Sequence, residues 1–496
     1  FFLLPQKRRW ILLLIASYYF YMCWKVEYII LIITSTLIDY FVAQKMAALK
    51  EKFKRKKWLL ISLFSNLGIL FGFKYFNFVN ANVQALFDNF NIFYGVPAFD
   101  VLLPVGISFY TFQTLSYTID VYNGKTPVQN HLGIFAVYVS FFPQLVAGPI
   151  ERSRHLLPQF YVEHKFSYDR VKYGLQQMLW GFFKKLVIAD RLAIVVDGVY
   201  NNLDNYSGFS LVVATFFFAF QIYCDFSGYT DIAIGSARVM GFELIDNFKR
   251  PYFSKSISEF WKRWHISLST WFRDYLYIPL GGNRVVKWRW YYNLFITFLI
   301  SGFWHGANWT FLVWGALHGT YLIMAIVLIK PKEYILNMLN LKGSFIHKIY
   351  RVTFTFALVA FAWIFFRANN ISDAFYVINN MFSDIGDYTD FGKMKVNLRG
   401  LGVGINDILI SIGLIAFMEL YNLYERNHGK GYDVNLDEIN RRSEEDKIEQ
   451  KHLNLASSVQ AAFEEAQMHM IKWAKQIYPE IDKLVLSGGC ALNVSA

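Results

Sequence analysis

Charge is what this sequence has least of. Only 17% of its 496 residues are charged, against about 25% in a soluble domain. Cysteine is scarce too. Cys23, Cys224 and Cys490 are the only three, two of them in apolar runs, which excludes a disulfide framework. The signatures that announce phosphate or metal chemistry are missing. There is no P-loop, no Gly-x-Gly-x-x-Gly, no His-Glu-x-x-His, no Cys-x-x-Cys spacing and no Gly-x-Ser-x-Gly. No internal repeat is visible. What fills the space is apolar: 55% hydrophobic and 19% aromatic residues, 49 of them Phe, with a mean hydropathy of +0.28. Too few polar groups remain to cover a water-soluble protein, and too many apolar ones are present for disorder.

A spanning helix needs about 20 apolar residues. Eleven candidate segments emerge: Trp10–Trp24, Tyr28–Ala43, Trp58–Val79, Leu103–Val121, Ile134–Val146, Leu175–Val196, Ser207–Phe226, Tyr291–Phe303, Trp309–Leu328, Phe354–Phe366 and Ile408–Tyr421. Several are short enough to be tilted or re-entrant. Aromatics crowd many ends, as in interfacial belts. The chain opens on Phe rather than Met and reads as a fragment or processed product. Phe1–Leu4 are expected to be the end of an apolar helix that starts earlier, and no intact secretory signal is visible.

The net charge of +12 would suggest nucleic acid in a soluble protein. Here the basic residues cluster between apolar runs, so they read as cytoplasmic loops, with no nucleic-acid partner. Lys7, Arg8 and Arg9 precede the first span. Lys45, Lys50, Lys52, Lys54, Arg55, Lys56 and Lys57 follow the second, against one acid, Glu51. Two crossings put both clusters on the same, cytoplasmic side. Asn80–Asp100, free of Lys and Arg, fits the outside. Between Asn247 and Lys287 the chain gains cations, including Arg263, Arg273 and Arg284, and reads as helices at or dipping into the cytoplasmic interface.

Ionisable groups at membrane depth are costly, so each is a functional candidate. His305 lies in Ser301-Gly302-Phe303-Trp304-His305-Gly306-Ala307, and His318 follows in Gly315-Ala316-Leu317-His318-Gly319. His265 is expected on a helix face shared with Trp261, Leu268 and Phe272. A neutral imidazole in an apolar site can take a proton from an alcohol. The glycines beside His305 would admit a substrate to the backbone. The competing reading, packing histidines bonded between helices, is stronger for His265 and His318 than for His305. Asp225 and Asp231, six residues apart, would bind a cation or orient a base; helix capping, with Ser227 and Thr230, is favoured over both. In Pro143-Gln144-Leu145-Val146-Ala147-Gly148-Pro149-Ile150-Glu151-Arg152 the Gly-Pro pair sets a turn. Glu151, Arg152 and Arg154 read as a surface ion pair rather than an anion site.

The stretches Leu103-Pro104-Val105-Gly106 to Gln113, Leu145–Arg152, Asp225–Asp231, Phe260 through Arg273-Asp274-Tyr275 to Arg284, Gly302-Phe303-Trp304-His305-Gly306, and Phe361-Ala362-Trp363 to Ala368 together carry a resemblance. Over residues 1–425 the chain resembles the membrane-bound O-acyltransferase family, in the bacterial branch with the alginate O-acetylation protein and the teichoic-acid D-alanyl transferase. The resemblance implies an all-α polytopic protein: a ring of about eleven transmembrane or re-entrant helices around a central tunnel, multi-pass in a bacterial inner membrane. It implies His305 as the catalytic histidine and His265 as a second functional one. His318, Asp225, Asp231, Trp304 and Arg273 are expected at the substrate or tunnel. The implied reaction moves an acyl group, acetyl by default, from a cytoplasmic thioester (acetyl-CoA or an acyl-carrier protein) to a hydroxyl of an extracellular polysaccharide, an envelope polymer or a relay protein. It needs no metal and no bound cofactor. Membrane lipids and an extracytoplasmic polysaccharide-modifying protein are the implied partners.

A charged linker over 426–450 is expected to join this core to a soluble α/β tail fragment over 451–496. The tail's helical periodicity and Ser487-Gly488-Gly489-Cys490-Ala491-Leu492-Asn493 resemble part of the O-carbamoyltransferase family, which makes Gly488 and Gly489 weak nucleotide candidates. Against the enzyme stands a transporter or flippase of an acyl or lipid-linked intermediate, with Asp225 and Asp231 as ion sites. The two readings part on mutation. A transporter loses more function with Asp225→Asn than with His305→Ala, and an acyltransferase shows the reverse order when both variants are compared at equal expression.

Overall fold

A computed structural model describes residues 1–428, apart from 100–102, 339–343, 384–389, 391, 393–395, 397 and 399; for 335 and 424–428 it describes the backbone only. The first three residues of the expected linker, 426–428, continue the last helix; the rest of it and the tail, with Gly488 and Gly489, lie outside the described residues. The chain forms two units, Phe1–Glu419 and Leu420–Ala496, and the site lies in the first.

The described residues are helices and turns, with no strand among them. In order come α1 Gln6–Met22, α2 Ile29–Ala47, α3 Lys52–Leu70, α4 Phe76–Asn89, α5 Ile107–Tyr122, α6 Leu132–Ser140 and α7 Phe142–Leu145. Then follow α8 Ser153–Leu156, α9 Tyr168–Phe182, α10 Asp190–Tyr200, α11 Phe209–Met240, α12 Ile257–Trp261 and α13 Ile266–Phe272. The last are α14 Lys287–His305, α15 Trp309–Val327, α16 Ile329–Met338, α17 Phe345–Arg367, α18 Ile371–Asn380 and α19 Ile405–His428. π-helical turns join α3 to α4 over Phe71–Tyr75 and α9 to α10 over Phe183–Ala189.

Among the described residues, six stretches are long and apolar enough to cross a membrane: Val26–Ala47, Lys52–Asn89, Phe209–Met240, Trp309–Val327, Phe345–Arg367 and Ile405–Leu423. Each contains one of the eleven expected spans or most of it. The other five expected spans are helical but too short, too polar or interrupted to meet that standard. Ile134–Val146, for instance, breaks at Phe141, where ψ is 109° and Pro143 follows. Phe1–Leu4 are not helical. Pro5 stands at the cap of α1, and proline keeps the residue before it out of the helical region.

α11 is the post of the structure. In its apolar window 56% of residues are buried, against 22% along Lys52–Asn89. It lies antiparallel to α9 on a glycine seam. A Cβ on Gly174 would come within 2.8 Å of the Gly235 carbonyl, and one on Gly181 within 2.6 Å of that of Gly228. Close backbone approach of this kind drives helix association in lipid, where no hydrophobic force acts between helices. One turn beyond the seam sit the charges. Lys184 pairs with Asp231 and reaches Ser227 at 3.0 Å, while Lys185 holds Asp225 at 2.6 Å and Asp190 at 2.7 Å. The wide π turn lets two consecutive lysines reach one helix. The helix-capping reading of Asp225 and Asp231 is thus corrected, since both lie inside a 32-residue helix and pair with lysines. A second polar knot ties α2, α3 and α5. Asn66 donates to both oxygens of the buried Asp39 at 3.0 and 2.9 Å, and Ser62 donates to it at 2.5 Å.

Gly181→Leu should force α9 off α11 and destabilise by about 1–3 kcal/mol or more, read as a lower unfolding midpoint in detergent. Gly198→Ala, at a position with nothing within 4 Å of the added carbon, should leave the midpoint unchanged or slightly raised. Equal midpoints for both variants would contradict the seam.

Candidate functional site

Two helix ends bring two histidines to one place. α14 stops at His305 because Gly306 is extended, and α15 starts afresh where Asn308 accepts the Thr310 amide at 3.0 Å. The expected role of the neighbouring glycines is corrected here. A side chain on Gly302 would strike the Phe311 carbonyl, and one on Gly306 the Phe311 ring. These glycines admit α15, not a substrate. His305 meets the edges of Trp314 and Phe366, with ring centroids 5.1 and 5.4 Å away.

His265 does not continue a helix from Trp261, as its sequence spacing predicts. The chain breaks between α12 and α13, and His265 caps α13 in the left-handed region at φ 43°. The cause is distant in sequence. Asn247 captures the amides that would have extended the helix: its carbonyl takes the Ile266 N–H at 3.0 Å and its Oδ1 the Ser267 N–H at 3.1 Å. The His265 Nδ1 lies 3.4 Å from the same Oδ1. A non-glycine residue held at positive φ is uncommon and gathers at functional sites. The apolar surroundings expected of His265 are there: it is 4% exposed, with Phe226 edge-on at 4.6 Å and Phe109 facing it at 6.4 Å.

Between these ends lies a cavity of about 140 Å3, with His265, His305, Lys74 and Ser108 as its polar wall. Phe109, Phe112, Ile150, Leu268 and Trp304 complete it. Trp304 packs on Phe112 at 3.8 Å, and Phe112 on Trp271 at 4.2 Å. Gly106 fixes where α5 begins. It is left-handed at φ 76°, and a Cβ there would meet the Leu145 carbonyl at 2.7 Å. Only glycine fits, and α5 then places Ser108 and Phe109 in its first turn. A cavity near 150 Å3 holds a molecule the size of benzene. This one is of that order.

Of the expected site residues, the cavity unites His305, His265 and Trp304. His318 is elsewhere. It is fully buried, its Nδ1 accepts the Trp261 indole N–H at 3.3 Å, and its ring lies 4.9 Å from Trp314. Trp314 thus stands between it and His305. Asp225 and Asp231 are held by their lysines. The Arg273 guanidinium is exposed and bonded to Asp274 at 2.8 Å. Glu151 and Arg152 are not a surface pair. Glu151 is 0% exposed and accepts the Ile245 amide at 2.6 Å and His155 at 2.7 Å. That bond to Glu151 raises the His155 imidazole above its ordinary value. Arg152 stacks over Tyr275 at 4.7 Å. Among the described residues no group of His, Cys, Asp and Glu gathers as a metal site.

Lys74 was not among the residues expected from sequence. It sits in the π turn after α3 and donates to the Trp304 carbonyl at 2.5 Å and the Ser108 hydroxyl at 3.2 Å. A lysine inside Leu70-Phe71-Gly72-Phe73-Lys74-Tyr75-Phe76 was the available signal, because charge at membrane depth marks function.

Helices long and apolar enough to cross a membrane, one of which lends Lys74 to a cavity that two imidazoles also wall, define an integral-membrane site. The chain belongs to the membrane-bound O-acyltransferase family, whose signature matches residues 131–331; it is a multi-pass membrane protein and an acyltransferase. It is 42% identical over 438 residues to the "Probable alginate O-acetylase AlgI" of Pseudomonas syringae pv. tomato, covering 87% of this chain and 81% of the relative. It is 36% identical over 396 residues to a peptidoglycan O-acetyltransferase of Helicobacter pylori, covering 74% and 73% of the two. To the teichoic acid D-alanyltransferase of Bacillus subtilis it is 28% identical over 246 residues, covering 45% of this chain and 58% of that one. Family membership decides against the transporter reading.

Proposed function

We propose that this chain transfers an acetyl group from a cytoplasmic thioester to a hydroxyl outside the membrane, with His305 as general base. The observation that carries the reading is that His265 and His305, on segments forty residues apart, face one small cavity. His305 takes the proton of the acceptor hydroxyl as its oxygen attacks the thioester carbonyl. His265, held by Asn247 at the cap of α13, orients the donor. Acetyl-CoA is the proposed donor, an acyl-carrier thioester the substitute. The cavity volume supports a short acyl group. The relatives named for alginate and peptidoglycan O-acetylation support a polysaccharide or envelope polymer as the final acceptor, reached directly or through an extracytoplasmic partner protein. We place the protein in a bacterial inner membrane, with its helices forming a ring around a tunnel. Irregular backbone at membrane depth, such as the break at His265, is tolerated where it lines such a cavity.

Membranes containing the chain, given acetyl-labelled acetyl-CoA, should pass label to polysaccharide or to a partner protein. A His305→Ala twin at equal expression should lose at least about 100-fold of that transfer. Equal transfer by the two would remove His305 as the base.

A further inference from the structure

We propose that the Lys74 ammonium is a catalytic group of the acyl-transfer site, stabilising the negative charge that develops on the thioester carbonyl oxygen. The inference rests on the acyl-transfer reading above and assigns a residue to its most demanding moment. As the acceptor oxygen bonds to the carbonyl carbon, its proton passes to His305 and the carbonyl π pair moves onto oxygen. The intermediate then collapses, the C–S bond breaks, and the leaving thiolate takes the proton back from His305. Between those steps an oxyanion stands in a small pocket whose remaining walls are apolar. Preorganised donors aimed at it are worth far more there than in water.

Lys74 meets that need on three counts. It is on the cavity wall with His305 and His265, and among the wall residues it is the one formal cation. It is fixed. The Trp304 carbonyl at 2.5 Å and the Ser108 hydroxyl at 3.2 Å account for two of the ammonium's three hydrogens, leaving one for a ligand. Among the described residues no carboxylate pairs with it. Its counter-charge is the carbonyl end of α14, the negative pole of that helix, so its charge is not neutralised by an acid that a substrate would have to displace. Finally, it is delivered by a π-helical turn, Phe71–Tyr75, a local widening frequent at functional sites. The same residue therefore caps the helix that carries His305 and presents a charge beside it.

A purely structural cap would need only the hydrogen bond to Trp304, and that separates the roles. The full-length chain is compared in membranes and detergent as the parent, Lys74→Gln, Lys74→Ala, Lys74→Arg and His305→Ala. Acetyl transfer from labelled acetyl-CoA is measured per unit of folded protein, with kcat and KM for the donor. Gln keeps a donor for the carbonyl without the charge. It should lose about 100-fold or more in kcat, with KM for acetyl-CoA within roughly threefold. Lys74→Ala should be partly rescued by added butylammonium and not by butanol, while Arg retains more activity than Gln. The proposal is overturned if Gln keeps kcat within roughly threefold of the parent, or if butanol rescues Ala as well as butylammonium. It is also overturned if activity across the position-74 variants merely follows the amount of folded protein. A His305→Ala twin as active as the parent would defeat the base assignment and leave the position-74 comparison readable, so the two failures are distinct.

Discussion

The site depends on how the end of α14 is closed. A helix leaves its last carbonyls without intrahelical partners, and at membrane depth no water supplies them. α14 ends at a half-buried His305. Tyr75 reaches the Phe303 carbonyl at 3.2 Å, and Lys74 reaches that of Trp304 at 2.5 Å. One π turn in the Lys52–Asn89 helix thereby gives partners to two of the last carbonyls of α14, fixes the backbone on which His305 rides, and brings a cation to the cavity. Ser108, on the first turn of α5, closes the triangle. Three elements far apart in sequence are locked by a handful of polar contacts in an otherwise apolar region. A misfit at any of them would be costly there.

The surrounding helices bring no hydrophobic force of their own to this task, since lipid is as apolar as they are. They use shape and buried polarity. α9 and α11 meet on glycines and then on paired charges. α14 and α15 meet through Gly302 and Gly315, and α2, α3 and α5 share the hydrogen bonds of Asp39 and Asn66.

The sequence made the apolar helices legible because period and length are local properties. His305 and His265 stood out because imidazoles are rare in such surroundings. What escaped was set by distant partners. Nothing near His265 announces that Asn247 will take two amides and stop the helix. Lysines forty residues earlier decide that Asp225 and Asp231 pair across helices rather than cap ends. Gly302 and Gly306 looked like openings because their neighbour Phe311 belongs to the next helix. Lys74 is different. Its signal was present in a single charged residue within an apolar run, hidden because the run was read as a span and not residue by residue.

The central claim is that acyl transfer happens in the cavity between His265 and His305. Its most direct test is a structure of the chain with a non-hydrolysable thioether analogue of acetyl-CoA. The account predicts the analogue's carbonyl in that cavity, beside both imidazoles. An acyl group seated elsewhere, with the cavity closed to it, would contradict the claim.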